Sequence, residues 1–203
     1  MIIYVESNFV LELALLQHEH AACSAIVDLC QSGKARLVVP AYCLVEPFET
    51  ITRRHKARRA LTEQLESELK QLLRTEPYRQ RETSSREILA LLAGSADEEM
   101  LRLQAVVRDV LSLAEVIPLT PEIVETALHY QFREVLGPQD AVVYTSVFTH
   151  LSVQPSGPSC FVNRNRKDFD QPKLAGELES RGCKMLYNFE VGIGYLTSQF
   201  EKP

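Results

Sequence analysis

The sequence predicts an α/β protein, a three-layer α/β/α sandwich with a central parallel sheet and an inserted amphipathic helical segment. Short apolar runs alternate with helical stretches, and no hairpin turn separates two consecutive runs. Strands that alternate with helices form parallel sheets that are covered on both faces. A chain of 203 residues can bury a sizeable core. We therefore expect a single domain over residues 1–203.

The predicted strands are short apolar runs, at residues 2–5, 35–40, 114–119, 159–163 and 184–187. Helices are predicted between them, over residues 7–17, 19–31 and 140–151 and from Thr120 onward. Ser32-Gly33 is typical of a helix C-terminus, and Pro40 is predicted to start the next helix. Thr120 and Pro121 are residue types that favour the N-cap and the first helical position.

The segment 53–113 has a different character. It is rich in Leu, Glu, Arg, Gln and Lys, with leucines at helical spacing. Pro77 with the polar stretch 79–85, and then Gly94-Ser95, are expected to interrupt it. These features predict two or three amphipathic helices that are inserted into the α/β core or stacked on it.

The composition is that of an ordinary globular protein, with 45% hydrophobic and 24% charged residues. No apolar run approaches the roughly 18 residues that span a bilayer, and no basic segment typical of a secretory signal precedes the first apolar stretch. Five cysteines without a CxxC pair favour reduced thiols. We expect a cytoplasmic protein that does not bind membranes. Its net charge of −5 restricts nucleic-acid binding to a local basic patch or to metal ions.

Polar residues are predicted where the strands end. Ligands of open parallel sheets bind beyond the carboxyl ends of the strands. The residues expected to face that crevice are Glu6, Ser7, Glu46, Asp140, Asn163, Arg164 and Asn165. Converging carboxylates and amides make an oxygen-rich pocket suited to Mg²⁺ or Mn²⁺.

Each acidic residue also has a purely structural interpretation. Asp140 and the pair Glu6-Ser7 have the residue types of ordinary helix starts, and Glu46 could occupy a solvent-facing helix position. The support therefore comes from the set and its order. Signatures of nucleoside triphosphate and dinucleotide enzymes, of GxSxG hydrolases and of HExxH metalloproteases are absent from the sequence.

Four sequence motifs resemble those of the PIN domain, a metal-dependent ribonuclease fold. The motifs are YVESNFVLELAL, VVPAYCLVEPFE, GPQDAVVYTSVFTHL and CFVNRNRKDFD. The family has an acidic residue followed by Ser/Thr-Asn after its first strand, here Glu6, Ser7 and Asn8. Its next acidic positions correspond to Glu46 and Asp140, and the fourth to Asn165 with Asp168 nearby. The family usually has Asp where this chain has Glu6, and frequently Asp where it has Asn165.

The resemblance implies a divalent-metal-dependent endoribonuclease that cleaves single-stranded RNA and leaves a 5′-phosphate and a 3′-hydroxyl. Glu6, Glu46 and Asp140 would bind Mg²⁺ or Mn²⁺ with help from Asn165, and Ser7 or Asn163 would orient a water or a phosphate. It also implies a toxin with an antitoxin partner or an RNA-processing enzyme, and a homodimer. The alternative is a catalytically weakened PIN-like module that acts as an RNA- or protein-binding scaffold, which Glu6 and Asn165 favour.

Two groups of basic residues are candidates for binding RNA phosphates. Arg53 and Arg54 begin a basic run over residues 53–59, and Arg164, Arg166 and Lys167 follow the fourth predicted strand. The run 53–59 has an alternative interpretation as a solvated helix face that pairs with Glu63, Glu66 and Glu68.

Overall fold

The fold is a five-stranded parallel sheet between two layers of helices, as the sequence predicts. A computed structural model describes residues 1–134, 136–154 and 157–200, with the side chains of 80–84, 133 and 134 left out. The strands are β1 (Ile2–Val5), β2 (Arg36–Pro40), β3 (Glu115–Ile117), β4 (Ser159–Val162) and β5 (Cys183–Leu186). They lie in the order β3-β2-β1-β4-β5, and all neighbours are parallel.

Strand β1 is the centre of the sheet and the place where the strand order reverses. It pairs with β2 on one side and with β4 on the other. Its residues Ile3, Tyr4 and Val5 are fully buried, as a strand covered on both faces requires. The reversal opens a crevice at the carboxyl ends of β1 and β4, where ligands of such sheets bind.

Nine helices lie within the described residues. They are α1 (Ser7–Leu15), α2 (His20–Gln31), α3 (Tyr42–Leu72), α4 (Glu82–Leu113), α5 (Pro121–Glu134), α6 (Pro138–Val153), α7 (Arg166–Phe169), α8 (Pro172–Glu179) and α9 (Phe189–Phe200). Helix α2 packs against α1 and α9, while α5 packs against α6, which contacts β2 and β3. Among these residues, no helix combines the length and the apolar character that crossing a lipid bilayer requires.

Several predicted helix boundaries agree with the structure, and each has a local cause. Helix α2 is followed by Ser32 and by Gly33, whose φ of +74° is favourable only for glycine. Helix α5 begins at Pro121, and the N–H of Ile123 donates to Thr120 Oγ1 at 3.4 Å. Helix α1 ends two residues before the predicted position, because Leu16 has a φ of 51°.

Three predicted helix starts and breaks differ from the structure. Pro40 does not start a helix: it pairs with Ile117 as the last residue of β2, and the N–H of Ala41 donates to Ile117 O at 2.8 Å. Gly94-Ser95 does not interrupt α4, because one exposed glycine costs only about 1 kcal/mol in a long helix. Helix α6 starts at Pro138, two residues before Asp140, since proline is favourable in the first turn. Helices α7, α8 and α9 were not predicted.

Helices α3 and α4 form an antiparallel pair joined by a 3₁₀ helix at Glu76–Arg81. Helix α3 is continuous from Tyr42, so the element that carries Glu46 also carries the basic run 53–59. His55 Nε2 and Arg58 Nη1 lie 2.9 and 2.8 Å from the Glu99 carboxylate of α4. Helix α4 then returns to the core, where Leu103 and Val110 are buried and the helix packs against α1.

Candidate active site

An open cavity of about 320 Å³ lies at the carboxyl ends of β1 and β4. Its wall includes most of the polar residues that the sequence analysis selected. The lining residues are Glu6, Ser7, Asn8, Leu11, Glu46, Thr50, Arg53, Arg54, Gln139, Asp140, Val143, Asn165 and Asp168. Four carboxylates and two guanidinium groups therefore share one small cavity, with an excess of negative charge.

Glu6 follows β1 directly and precedes the first residue of α1. Its Oε1 accepts hydrogen bonds from Asn8 Nδ2 at 2.8 Å and from the backbone N–H of Arg164 at 2.9 Å. The residue is 6% exposed. Burial raises the pKa of the Glu6 carboxyl, and the two hydrogen bonds oppose this shift only in part. The Glu46 carboxylate raises the pKa further.

Glu46 lies in the second turn of α3, half-buried at the cavity wall. The hydroxyl of Ser7, the first residue of α1, donates to Glu46 Oε2. This hydrogen bond joins the element that follows β1 to the element that follows β2. The neighbours of Glu46 in the sequence are mostly apolar, so Ser7 supplies the polar partner that a half-buried carboxylate requires.

Asp140 and Asn165 form the third polar contact of the cavity. Asp140 lies in the first turn of α6, where the helix dipole favours a negative charge. Asn165 Nδ2 donates to Asp140 Oδ1 at 2.8 Å. Burial raises the pKa of the Asp140 carboxyl, and the nearby Asp168 and Glu46 carboxylates raise it further, against the hydrogen bond from Asn165.

Of the remaining predicted residues, four lie outside the cavity wall and two belong to it. Asn163 is fully buried, and its side-chain nitrogen and oxygen have no hydrogen-bond partner among the described residues. The guanidinium of Arg164 contacts Glu12 and Glu19, although its backbone N–H binds Glu6. Arg166 Nε lies 3.1 Å from Asp170 Oδ2, and Lys167 is exposed on α7. Arg53 and Arg54 of α3 do line the cavity.

Two groups of residues were not predicted from the sequence. Thr50 and Gln139 line the cavity, and each is adjacent to a selected residue: Thr50 is one helical turn after Glu46, and Gln139 precedes Asp140. Glu12 and Glu19, which bind Arg164, were not selected either. The signal for Glu12 was available, because a carboxylate within the apolar run 9–16 requires a partner.

The donor chemistry of the cavity fits a hard divalent cation. Within the described part of the chain, no group of three or more His, Cys, Asp or Glu could hold a metal ion by itself. Mg²⁺, however, commonly binds through one or two carboxylates and keeps several waters. The raised pKa of the Asp140 carboxyl reflects burial together with repulsion from Asp168 and Glu46. A cation among these carboxylates would relieve that repulsion.

The fold and the cavity define a class of protein: a parallel α/β/α sandwich with a carboxylate-rich site where the strand order reverses. The chain belongs to the PIN domain family, which it matches over residues 3–169. No curated protein matches the sequence. Among solved structures, the chain is similar to one in the crystal structure of VapBC2 from Rickettsia felis bound to a DNA fragment from their promoter, with 10% identity and a TM-score of 0.45. That match covers 84% of this chain and 92% of the other.

Proposed function

We propose that this PIN domain protein is a divalent-metal-dependent endoribonuclease acting on single-stranded RNA. The observation that carries the proposal is the cavity shared by Glu6, Glu46, Asp140 and Asp168 with Arg53 and Arg54. Carboxylates supply ligands for a cation, while arginines supply contacts for the phosphate groups of a nucleic acid. The overall charge of −5 leaves phosphate binding to such local groups.

In this proposal Glu6, Glu46 and Asp140 bind Mg²⁺ or Mn²⁺, one or two of them directly and the rest through waters that the ion keeps, and Asn165 assists through Asp140. Such a cation lowers the pKa of bound water and stabilises charge on the attacking and leaving oxygens. Ser7 holds Glu46 through its hydroxyl, and Asn8 together with the Arg164 N–H holds Glu6. Each proposed ligand is thus oriented by a neighbour that carries no negative charge, as metal ligands usually are.

Arg53 and Arg54 are proposed to bind phosphates on either side of the scissile bond. They follow Glu46 by two helical turns on the same helix, so one element carries both the proposed ligand and the phosphate contacts. Hydrolysis at the cavity would leave a 5′-phosphate and a 3′-hydroxyl. Exposed Arg166 and Lys167 are proposed as more distant contacts to the RNA backbone.

A second candidate function is an RNA- or protein-binding scaffold without catalysis. One observation favours it: Glu6, Glu46 and Asp140 each already accept a hydrogen bond within the chain. A site whose carboxylates stay engaged in this way would bind a cation weakly. Only the nuclease would cut RNA, so a cleavage assay separates the two candidates.

The test is cleavage of an end-labelled single-stranded RNA by purified protein in Mn²⁺, in Mg²⁺ and in EDTA. Asp140→Asn is the informative variant, because the amide oxygen can still accept from Asn165 while the negative charge is lost. Asp97→Asn, at an exposed position of α4, is the matched control. We expect metal-dependent cleavage that is lost only in Asp140→Asn. Cleavage at the wild-type rate by that variant would remove Asp140 from the mechanism, and no cleavage by the folded wild-type protein would favour the scaffold.

The biological setting proposed for this activity is a cytoplasmic toxin neutralised by an antitoxin, or an RNA-processing enzyme, acting as a homodimer. Expression of the wild-type chain alone should arrest growth if it is a toxin, and Asp140→Asn should not. Light scattering at high protein concentration should give twice the mass of the 23.0 kDa chain. A monomeric mass there would contradict the homodimer.

A further inference from the structure

The guanidinium of Arg164 is bound by two buried carboxylates from other elements. Its Nη1 donates to Glu12 Oε1 of α1, and its Nε lies 3.3 Å from Glu19 Oε1, just before α2. The side chains of Glu12 and Glu19 are 1% and 8% exposed. We call Arg164, Glu12 and Glu19 the ionic strut. The sequence predicts a phosphate contact for Arg164 because this residue follows β4 within the fourth motif, but its guanidinium is bound by Glu12 and Glu19, although the side chain stays 37% exposed.

Every carboxylate oxygen of the ionic strut has a partner. Glu12 Oε2 accepts from the backbone N–H of Glu19 at 2.7 Å, and Glu19 Oε2 accepts from the N–H of Phe189 at 2.6 Å. Phe189 is the first residue of α9, so Glu19 also satisfies a donor at that helix N-terminus. The strut therefore fixes the chain at Arg164 against three helices.

The same stretch of backbone touches both sides of the candidate active site. The N–H of Arg164 donates to Glu6 Oε1, and the next residue, Asn165, donates to Asp140 Oδ1. These two bonds orient two of the three proposed ligands. A shift of the loop after β4 by a fraction of a bond length would alter both contacts, since hydrogen bonds weaken steeply with distance and angle.

We propose that Arg164 is a positioning residue of the cavity: clamped by Glu12 and Glu19, it holds the loop after β4 so that Glu6 and Asp140 keep the orientation needed to bind a divalent cation. This inference rests on the proposed metal site. In this role the Arg164 side chain makes no contact with the substrate. Arginine is required because its planar guanidinium reaches two carboxylates at once, which a lysine ammonium cannot do with the same geometry.

The test is Mn²⁺ binding to the full chain by isothermal titration calorimetry, with Arg164→Lys as the variant. Arg79→Lys is the matched control, because Arg79 is exposed and its guanidinium also pairs with a carboxylate, that of Glu76, in the connection between α3 and α4. We expect the Kd for Mn²⁺ to rise about 10-fold in Arg164→Lys, the effect typical of a lost outer contact to a metal ligand. Arg79→Lys should bind Mn²⁺ as the wild-type protein does.

A second measurement follows the loop without any metal. Hydrogen exchange of residues 163–169 in EDTA should be faster in Arg164→Lys than in the wild type or in Arg79→Lys. If Arg164→Lys does not fold, Glu19→Gln takes its place, with changes expected in the same direction. Wild-type affinity for Mn²⁺ in a folded Arg164→Lys protein would overturn the positioning role and leave the metal site intact. A wild-type protein that binds no Mn²⁺ would instead overturn the proposed function, and the positioning role with it.

Discussion

Two clusters of acidic side chains lie on opposite sides of Arg164, and they differ in how their charge is balanced. In the ionic strut, Glu12 and Glu19 share one guanidinium, and two backbone N–H groups complete their hydrogen bonds. In the cavity, the four carboxylates outnumber the two arginines, and repulsion contributes to the raised pKa of Asp140. The comparison teaches that internal compensation marks a structural cluster, while uncompensated charge at a solvent-accessible cavity marks a site for a ligand.

The ionic strut should therefore contribute to stability, and the cavity carboxylates should not. Arg164→Met leaves Glu12 and Glu19 buried without a cation, which should lower the free energy of unfolding by about 3 kcal/mol. We take the lower end of the usual range because the Arg164 side chain is 37% exposed. Asp140→Asn removes a repelled charge and should leave the free energy of unfolding unchanged or higher.

Urea denaturation of both variants at pH 7 in EDTA checks this contrast. Arg166→Met is the control for losing an arginine, since its pair with Asp170 is exposed and should contribute less than about 1 kcal/mol. Equal destabilisation by Arg164→Met and Asp140→Asn would show that the two clusters do not differ in the way described.

The stability of the folded protein should depend on pH through the buried Glu6 carboxyl. Burial raises the pKa of the Glu6 carboxyl above its ordinary 4.5, and the facing Glu46 carboxylate adds to the shift. The folded protein then binds this proton more tightly than the unfolded chain does. Stability in EDTA should therefore fall as the pH rises from about 4.5 through the folded-state pKa of Glu6. Glu6→Gln should weaken this pH dependence.

Thermal melts between pH 4.5 and pH 7.5 measure the effect, with Glu63→Gln as the control, because Glu63 is an exposed glutamate of α3. Repeating the melts with saturating Mn²⁺ tests whether Glu6 contributes to binding the cation. At 100 times its Kd, a ligand stabilises the folded state by about 2.7 kcal/mol, and Glu6→Gln should reduce this gain at equal Mn²⁺ concentration. A steeper pH dependence in Glu6→Gln would contradict the assigned direction of the pKa shift.

The sequence was sufficient to predict the sheet and the cavity wall, because both follow from local patterns. Apolar strands are followed by polar residues, Glu6 after β1 and Asn165 after β4, and parallel strands bring such ends together. The sequence did not predict the partners of the Arg164 side chain, because Glu12 and Glu19 come from two other elements of the fold. Gly94 is a case in which a local signal was misleading. The sequence predicts a helix break at this glycine, but α4 continues through it because the helix packs against α3.

The smallest expected effect comes from adding charge to the cavity at Asn165. Its amide donates to Asp140 Oδ1 at 2.8 Å, so Asn165→Asp replaces a donor with a second carboxylate at hydrogen-bond distance. We expect Mn²⁺ to bind about threefold more tightly, because a charged ligand attracts the cation more strongly than a neutral amide. In EDTA the same variant should be less stable than the wild type, since the two carboxylates repel each other.

Asn188→Asp is the control for this change, because Asn188 Oδ1 accepts from the N–H of Val191 at the start of α9, away from the cavity. There an added negative charge at a helix N-terminus should be neutral or favourable in EDTA and should not alter Mn²⁺ binding. Of the two variants, only Asn165→Asp is thus expected to combine tighter Mn²⁺ binding with lower stability in EDTA. If Asn165→Asp were as stable as the wild type in EDTA, the negative charge of the cavity would be compensated, as it is in the ionic strut. The two clusters would then differ only in their exposure to solvent.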